Sequence, residues 1–159
     1  MSITVVSMAH MEISADPAAT LITYSLGSCI GVAAYDATRK VGALIHCMLP
    51  EMAIHPQKAL QQPGIFVDSG LQNMFLVMAA HGCRPESLAV HAAGAGCMMD
   101  GGDAFRIGER NTAALHRILA ARGIRLAAED VGGNVSRKLS LQIGSGAVTV
   151  TSNGTERIL

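Results

Sequence analysis

A cysteine and a histidine in the first third of the chain, Cys29 and His46, are side chains that could catalyse acyl transfer. Cys29 follows Gly27 and Ser28, two small residues at a predicted turn between strands. Such a turn can bend tightly and direct adjacent N–H groups at one point, where they would stabilise a developing oxyanion. We therefore consider the backbone at Gly27 and Ser28 as a candidate oxyanion site. The alternative is a buried cysteine beside an ordinary turn.

His46 stands near the end of a predicted strand, among apolar neighbours. If a short hairpin joins the strands of Cys29 and His46, the two side chains come within hydrogen-bond reach. A neighbouring imidazole lowers the pKa of a thiol and can hold a thiolate–imidazolium pair. Thr23, on the preceding strand, could orient the imidazole through its hydroxyl, as the third member of a triad does. The alternative is a core histidine bonded to a backbone carbonyl.

The elements that must position these residues follow from periodicity and from turn residues. Two amphipathic helices are predicted, at residues 67–81 and Ile107–Arg122, and Gly123 ends the second. Residues 52–64 contain Pro56 and Pro63 and predict an exposed loop. Short β-like runs predict strands at residues 3–7, 20–26, 29–35, 41–49, 88–93, 125–131, 137–143 and 147–151. The second, third and fourth runs suggest an antiparallel meander, and residues 144–146 suggest a hairpin turn.

Strands outnumber helices and do not alternate with them regularly. The pattern predicts an α+β fold, a layered α/β sandwich with largely antiparallel or mixed sheets. A length of 159 residues suits a single domain spanning residues 1–159, whose tail at 152–159 is expected to fray.

Composition argues against several classes of function. Twelve basic residues balance twelve acidic ones, which disfavours a nucleic-acid binder. The N-terminus lacks a signal-peptide pattern, and no segment approaches the ~20 apolar residues needed to cross a bilayer, so we expect a cytoplasmic protein without membrane insertion. In that compartment Cys29, Cys47, Cys83 and Cys97 stay reduced. They form no CxxC pair, and the histidines lack ligand spacing, so we expect neither a metal nor another cofactor.

Five segments together resemble one known family. They read LGSC (26–29), HCMLP (46–50), FRIGERN (105–111), AEDVGGNVSR (128–137) and GSGAVTV (144–150). The chain resembles the CheD family of chemoreceptor glutamine deamidases from about Ile3 to Thr151. The resemblance implies that Cys29 is the nucleophile, His46 the general base and Thr23 the orienting residue. It also implies a fold related to the cytotoxic necrotizing factor deamidases, methyl-accepting chemotaxis receptor helices as substrate, and a CheC-type phosphatase as partner.

Two segments depart from the family pattern without touching the predicted triad. Residues 93–99 read AGAGCMM, and Cys47 stands where a bulky apolar residue is more usual. The first departure concerns the shape of a glycine-rich loop and its partner contacts, and the second concerns packing beside His46.

Other residues allow more than one interpretation. Gly132, Gly133, Asn134 and Arg137 match a family segment and could line a substrate cleft, although the alternative is a plain loop with a solvated arginine. Asn111 opens a helix beside Arg110, and we expect it to be structural, bonding nearby backbone groups. The adjacent carboxylates Glu129 and Asp130 should point to opposite faces of a strand and form no dyad.

Three functions are therefore open. The resemblance favours a cysteine-dependent hydrolase that converts receptor glutamines to glutamates. A second hypothesis is a regulatory protein that binds a CheC-type phosphatase with little catalysis of its own. A third is a small-molecule cysteine hydrolase, which activity on free glutamine would support.

Overall fold

Two mixed five-stranded sheets stack face to face in the computed structural model, which describes residues 1–99 and 105–159. The first sheet has the order β1, β3, β8, β9, β10. These strands are β1 (Ser2–Val5), β3 (Ala19–Leu26), β8 (Arg137–Gln142), β9 (Val148–Ser152) and β10 (Thr155–Ile158). Only the pair β1–β3 is parallel among the described pairings of this sheet.

The second sheet lies in the middle of the molecule. Its strands in spatial order are β2 (Met11–Ser14), β5 (Val41–Cys47), β4 (Ile30–Asp36), β6 (Leu88–Gly94) and β7 (Arg125–Val131). Every residue of β4 and β5 is buried, because both faces of these strands are covered. That is why their sequences are almost continuously apolar instead of alternating.

Helices form the third layer. The α-helices are α1 (Pro56–Gln61), α2 (Val67–Ala80) and α3 (Ile107–Arg122). One apolar cluster joins α2 and α3 to the second sheet, through residues such as Leu71, Met74 and Leu115. A second cluster fills the space between the sheets, with Leu44, Leu139 and Leu141 among its members. The order of layers is therefore sheet, sheet, helix, which confirms the predicted α+β sandwich.

Both long helices and the eight predicted strands are confirmed to within two residues at each end. Helix α3 has the predicted bounds, and Gly123 follows it in the left-handed conformation with a φ of 65°. A glycine tolerates that conformation at a helix C-terminus at little cost. None of the described helices is both long and apolar enough to cross a membrane.

The predicted meander is right for β4 and β5 and wrong for β3 and β4. β4 and β5 pair as an antiparallel hairpin, whereas β3 belongs to the other sheet. The register of β3 shifts between Thr23 and Leu26, and Ser25 has a φ of 59°. Such a bulge bends a strand and re-aims the residues after it. Residues 27–29 consequently cross from one sheet to the other.

Two segments predicted to lack regular structure in fact have it. Residues 52–64, expected as an exposed loop, contain α1 and the 3₁₀ turns Met52–Ile54 and Pro63–Ile65. The tail expected to fray contains β10, which pairs antiparallel with β9. Arg157 of β10 also forms a 2.6 Å ion pair with Asp130 of β7. Strand β2 was not predicted, because MEIS is too short to show a period.

Candidate active site

Cys29 and His46 lie on the same face of the second sheet. Cys29 immediately precedes β4, and Gly31 of β4 pairs with His46 of β5. Because side chains on one strand alternate between faces, Cys29 and Gly31 point to the same side as His46. That side faces the first sheet, and Cys29 packs against the apolar cluster between the sheets. The thiol and the imidazole are thus diagonal neighbours across one hairpin.

Thr23 reaches His46 from the opposite sheet. Its Oγ1 lies 2.7 Å from His46 Nδ1 and 2.7 Å from the carbonyl oxygen of Val6, and both side chains are buried. A hydroxyl has one hydrogen, and here it donates that hydrogen to Val6. Thr23 must then accept a hydrogen bond from Nδ1–H, which leaves the lone pair of the neutral imidazole on Nε2.

His46 Nε2 has no hydrogen-bond partner among the described residues, so no hydrogen bond joins it to Cys29 there. The structure therefore brings Thr23 and His46 into direct contact, and it brings Cys29 to the same face without a bond to the base. In unliganded enzymes, hydrogen bonds between catalytic groups are often long and tighten only when substrate binds.

The environment favours the neutral form of both groups. Burial raises the pKa of the Cys29 thiol, and a hydrogen bond from its own backbone N–H opposes that rise in part. Burial also lowers the pKa of His46. These directions favour a thiol beside a neutral imidazole, and they oppose the thiolate–imidazolium pair that the sequence allowed.

Backbone hydrogen bonds hold the loop that carries Cys29. The carbonyl oxygen of Cys29 accepts a 2.7 Å bond from Ala95 N–H, and that of Gly27 accepts a 2.8 Å bond from Gly96 N–H. Gly94 has a φ of 108°, and a Cβ there would lie 2.4 Å from the Cys29 carbonyl oxygen. Only glycine suits this position, both for its conformation and for its close approach.

The N–H groups of Ser28 and Cys29 have no acceptor in another residue within ranges 1–99 and 105–159. The Cys29 N–H does bond to its own thiol. The predicted donor at Gly27 is already used, because its N–H donates to the carbonyl oxygen of Ser25 at 3.1 Å, so Ser28 and Cys29 are the candidate oxyanion donors at this turn.

The predicted cleft residues have different surroundings. Gly132 and Gly133 line a cavity of about 390 Å³, together with Ala95, Gly96, Cys97, Arg106, Gly108 and Glu109. Asn134 is exposed. The solvated state considered for Arg137 is wrong, because the side chain is 6% exposed and donates to the carbonyl oxygens of Gly94 and Gly132 at 3.1 and 2.7 Å. Arg137 therefore braces the wall of this cavity from behind.

Asn111 is closer to the site than its sequence suggested. Its amide Nδ2 donates to the carbonyl oxygens of Ser28 and Met48, at 2.9 and 3.2 Å. The expectation of bonds to nearby backbone is wrong, since both acceptors are remote in sequence. The only signal for this contact was the position of Asn111 at the end of the FRIGERN segment.

The adjacent carboxylates have separate partners, as predicted from their alternation along a strand. Glu129 binds His116 at 2.8 Å, and Asp130 binds Arg157 and Arg137. The glycine-rich residues 95–99 form no helix or strand, and residues 100–104 lie outside the described residues.

Comparisons with known proteins identify the family of this chain. Residues 48–152 match the family described as CheD chemotactic sensory transduction. The "Probable chemoreceptor glutamine deamidase CheD 2" of Anaeromyxobacter dehalogenans is 45% identical over 152 residues, covering 96% of each chain. The "Probable chemoreceptor glutamine deamidase CheD" of Solibacter usitatus is 39% identical over 155 residues, covering 98% of this chain and 92% of that one.

Among solved structures, Neisseria meningitidis protein NMB0706 aligns with a TM-score of 0.40 at 12% identity, covering 78% of this chain and 52% of that one. A likeness at this level supports no inference, so the relation to cytotoxic necrotizing factor deamidases stays a prediction. The family match and the two relatives, which span almost the whole chain, agree with each other. The chain therefore belongs to the CheD family.

Proposed function

We propose that this chain hydrolyses glutamine side-chain amides on chemotaxis receptors, with Cys29 as nucleophile, His46 as general base and Thr23 as the residue that orients the base. The names of the relatives in Anaeromyxobacter dehalogenans and Solibacter usitatus supply the substrate class. The observation that carries the mechanism is the Thr23–His46 hydrogen bond, since it leaves the lone pair on Nε2, on the face that also bears Cys29.

The first half-reaction starts from the neutral pair. As Cys29 Sγ attacks the glutamine Cδ, His46 Nε2 accepts the thiol proton, so no free thiolate has to persist in a site that disfavours it. The imidazolium then donates that proton to the departing amine, and ammonia leaves. The glutamine acyl group remains on Cys29 as a thioester.

The second half-reaction regenerates the thiol. His46 Nε2 accepts a proton from water, whose oxygen attacks the thioester carbon. Collapse of the tetrahedral intermediate breaks the C–S bond, and the imidazolium returns its proton to sulfur. The product is a glutamic acid side chain, which loses its proton to the solvent to become glutamate, and the original enzyme is restored.

Each tetrahedral intermediate carries an oxyanion, for which the N–H groups of Ser28 and Cys29 are the proposed donors. They belong to a loop held at Cys29 and Gly27 by Ala95 and Gly96. Donors fixed before the reaction stabilise a developing charge without the cost of reorganisation. The adjoining cavity lined by Gly132 and Gly133 is the proposed entrance for the glutamine-bearing segment.

Ammonia release from a purified receptor cytoplasmic fragment tests this proposal, with mass spectrometry reporting conversion of amide to carboxylate. Cys29→Ser and His46→Ala should abolish turnover. Cys83→Ser is a matched control, because Cys83 neighbours Asp36 at the far end of β4 from Cys29. Undiminished release by Cys29→Ser would refute the mechanism, and release from free glutamine alone would favour the small-molecule alternative.

Binding of a CheC-type phosphatase stays a separate prediction from the family resemblance. A pull-down with wild-type and Cys29→Ala protein would test it. Retained binding and signalling by Cys29→Ala, with no deamidation by either protein, would favour the regulatory hypothesis.

A further inference from the structure

Asn111 connects the two segments that carry the proposed catalytic pair. Its side chain is fully buried, and its two amide hydrogens serve the carbonyl oxygens of Ser28 and Met48. Ser28 immediately precedes Cys29, and Met48 stands two residues after His46. A primary amide has two N–H donors on one nitrogen, so a single side chain can hold both carbonyls.

The Asn111 contact lies just beyond the last residue pair of the β4–β5 hairpin. The paired register of β4 and β5 ends at Ile30 and Cys47. Beyond that pair, Cys29 and Met48 leave the ladder, so its hydrogen bonds no longer set the distance between the two segments. Asn111 bridges them at this open end.

Close packing of α3 brings Asn111 to that position. Gly108, one turn earlier, is so near the loop after β6 that a Cβ would lie 2.5 Å from the carbonyl oxygen of Ala95 and 2.6 Å from that of Gly96. The bare backbone at Gly108 therefore lets the first turns of α3 approach the loop that also supports Cys29. Residues three apart share a face of a helix, so Asn111 points the same way as Gly108.

We propose that Asn111 is a positioning residue, which sets the spacing between the Cys29 loop and the end of the His46 strand. The inference rests on the proposed function for its chemistry. Asn111 bonds to neither reacting side chain, so it acts by keeping Sγ where Nε2 can take its proton. Its loss lowers kcat far more than it raises KM, because substrate binding does not need that alignment.

The test measures the reactivity of Cys29 in the intact chain without substrate. Iodoacetamide alkylation of Cys29 is followed across pH by peptide-resolved mass spectrometry in wild type, His46→Ala, Asn111→Ala and the double variant. We expect Asn111→Ala to move the pH profile towards that of His46→Ala, and to add nothing in the double variant, because one residue acts through the other. Deamidation kcat should fall about 10- to 100-fold with KM nearly unchanged.

Two further variants separate positioning from general stability. Leu119→Ala removes buried packing from the same helix without touching the bridge, so it should lower Tm and leave the Cys29 profile unchanged. Asn111→Ser retains one hydroxyl donor and should give an intermediate profile, which keeps the inference testable if Asn111→Ala fails to fold.

Each possible result bears either on the positioning role of Asn111 or on the proposed function. A wild-type profile and kcat in Asn111→Ala, or in Asn111→Ser if only that variant folds, would overturn the inference, and so would effects of Asn111→Ala and His46→Ala that simply add. If His46→Ala itself leaves the Cys29 profile unchanged, the proposed Cys29–His46 mechanism fails instead. The positioning role and the proposed function are thus tested by different comparisons.

Discussion

Replacing Thr23 by valine tests the orientation of the proposed base most directly. The change exchanges the hydroxyl for a methyl group and leaves two buried groups, His46 Nδ1–H and the Val6 carbonyl, without this partner. Unpaired buried polar groups cost about 1–3 kcal/mol each, which for two groups suggests a loss of roughly 2–6 kcal/mol in the free energy of unfolding. For a chain of this size, Tm should fall by roughly 4–24 °C.

The effect on turnover follows from the charge that His46 carries during the reaction. Once Nε2 accepts the thiol proton, the Nδ1–H···Oγ1 bond becomes a bond to a cation, worth about 1.5–3 kcal/mol. Its loss in the transition state should lower kcat about 10- to 150-fold. The tautomer with its lone pair on Nε2 also loses its preference, which acts in the same direction.

Thr23→Ser is the matched control, because it keeps the hydroxyl and removes only a methyl group. Both variants are compared by thermal denaturation and by initial rates of ammonia release from a receptor fragment. We expect Thr23→Ser to retain most of the activity that Thr23→Val loses. Equal kcat values in the two variants would refute the argument that the hydroxyl orients the base, whatever their stabilities.

Three further predictions concern charge, packing and the cavity wall. Because burial lowers the pKa of His46, activity should persist down to the ordinary imidazole value of about 6.5 and fall only below it, and an acid limb of kcat/KM at higher pH would contradict this. Gly108→Ala would normally stabilise a helix by about 1 kcal/mol, but here the clash with Ala95 should lower Tm, and a rise would contradict the packing argument. Arg137→Met should cost about 1–3 kcal/mol of stability, measured by denaturant titration, because the carbonyl oxygen of Gly132 loses its side-chain donor and Asp130 keeps only Arg157; an unchanged midpoint would contradict the bracing role of Arg137.

Local sequence signals were enough to predict the helices and most of the strands. Helix α3 repeats apolar residues with helical spacing and ends at a glycine, so its bounds could be read from neighbouring residues alone. The β4–β5 hairpin was equally accessible, because two strands joined by a short turn can hardly avoid pairing. Cys29 and His46 were candidates for the same reason, since their residue types and flanking segments are visible locally.

The contacts between segments far apart in the chain could not be predicted from local sequence signals. The short separation between Thr23 and Cys29 suggested neighbouring strands of one sheet, yet a bulge at Ser25 sends the chain across the sandwich. Thr23 therefore meets His46 from the opposite layer. β10 was missed for a related reason: a short terminal segment gains its order from β9 and from Asp130, both outside the segment itself.

Sequence alone determined the side chains available for chemistry, the helices and the layered class, because these depend on residue type and on periodicity over one or two turns. Tertiary structure decided which nitrogen of His46 carries the lone pair, in which direction each pKa moves, and which side chain spans the open end of the hairpin. Those properties depend on burial and on hydrogen bonds between segments far apart in the chain. Such contacts form only when the two sheets and α3 close around the site.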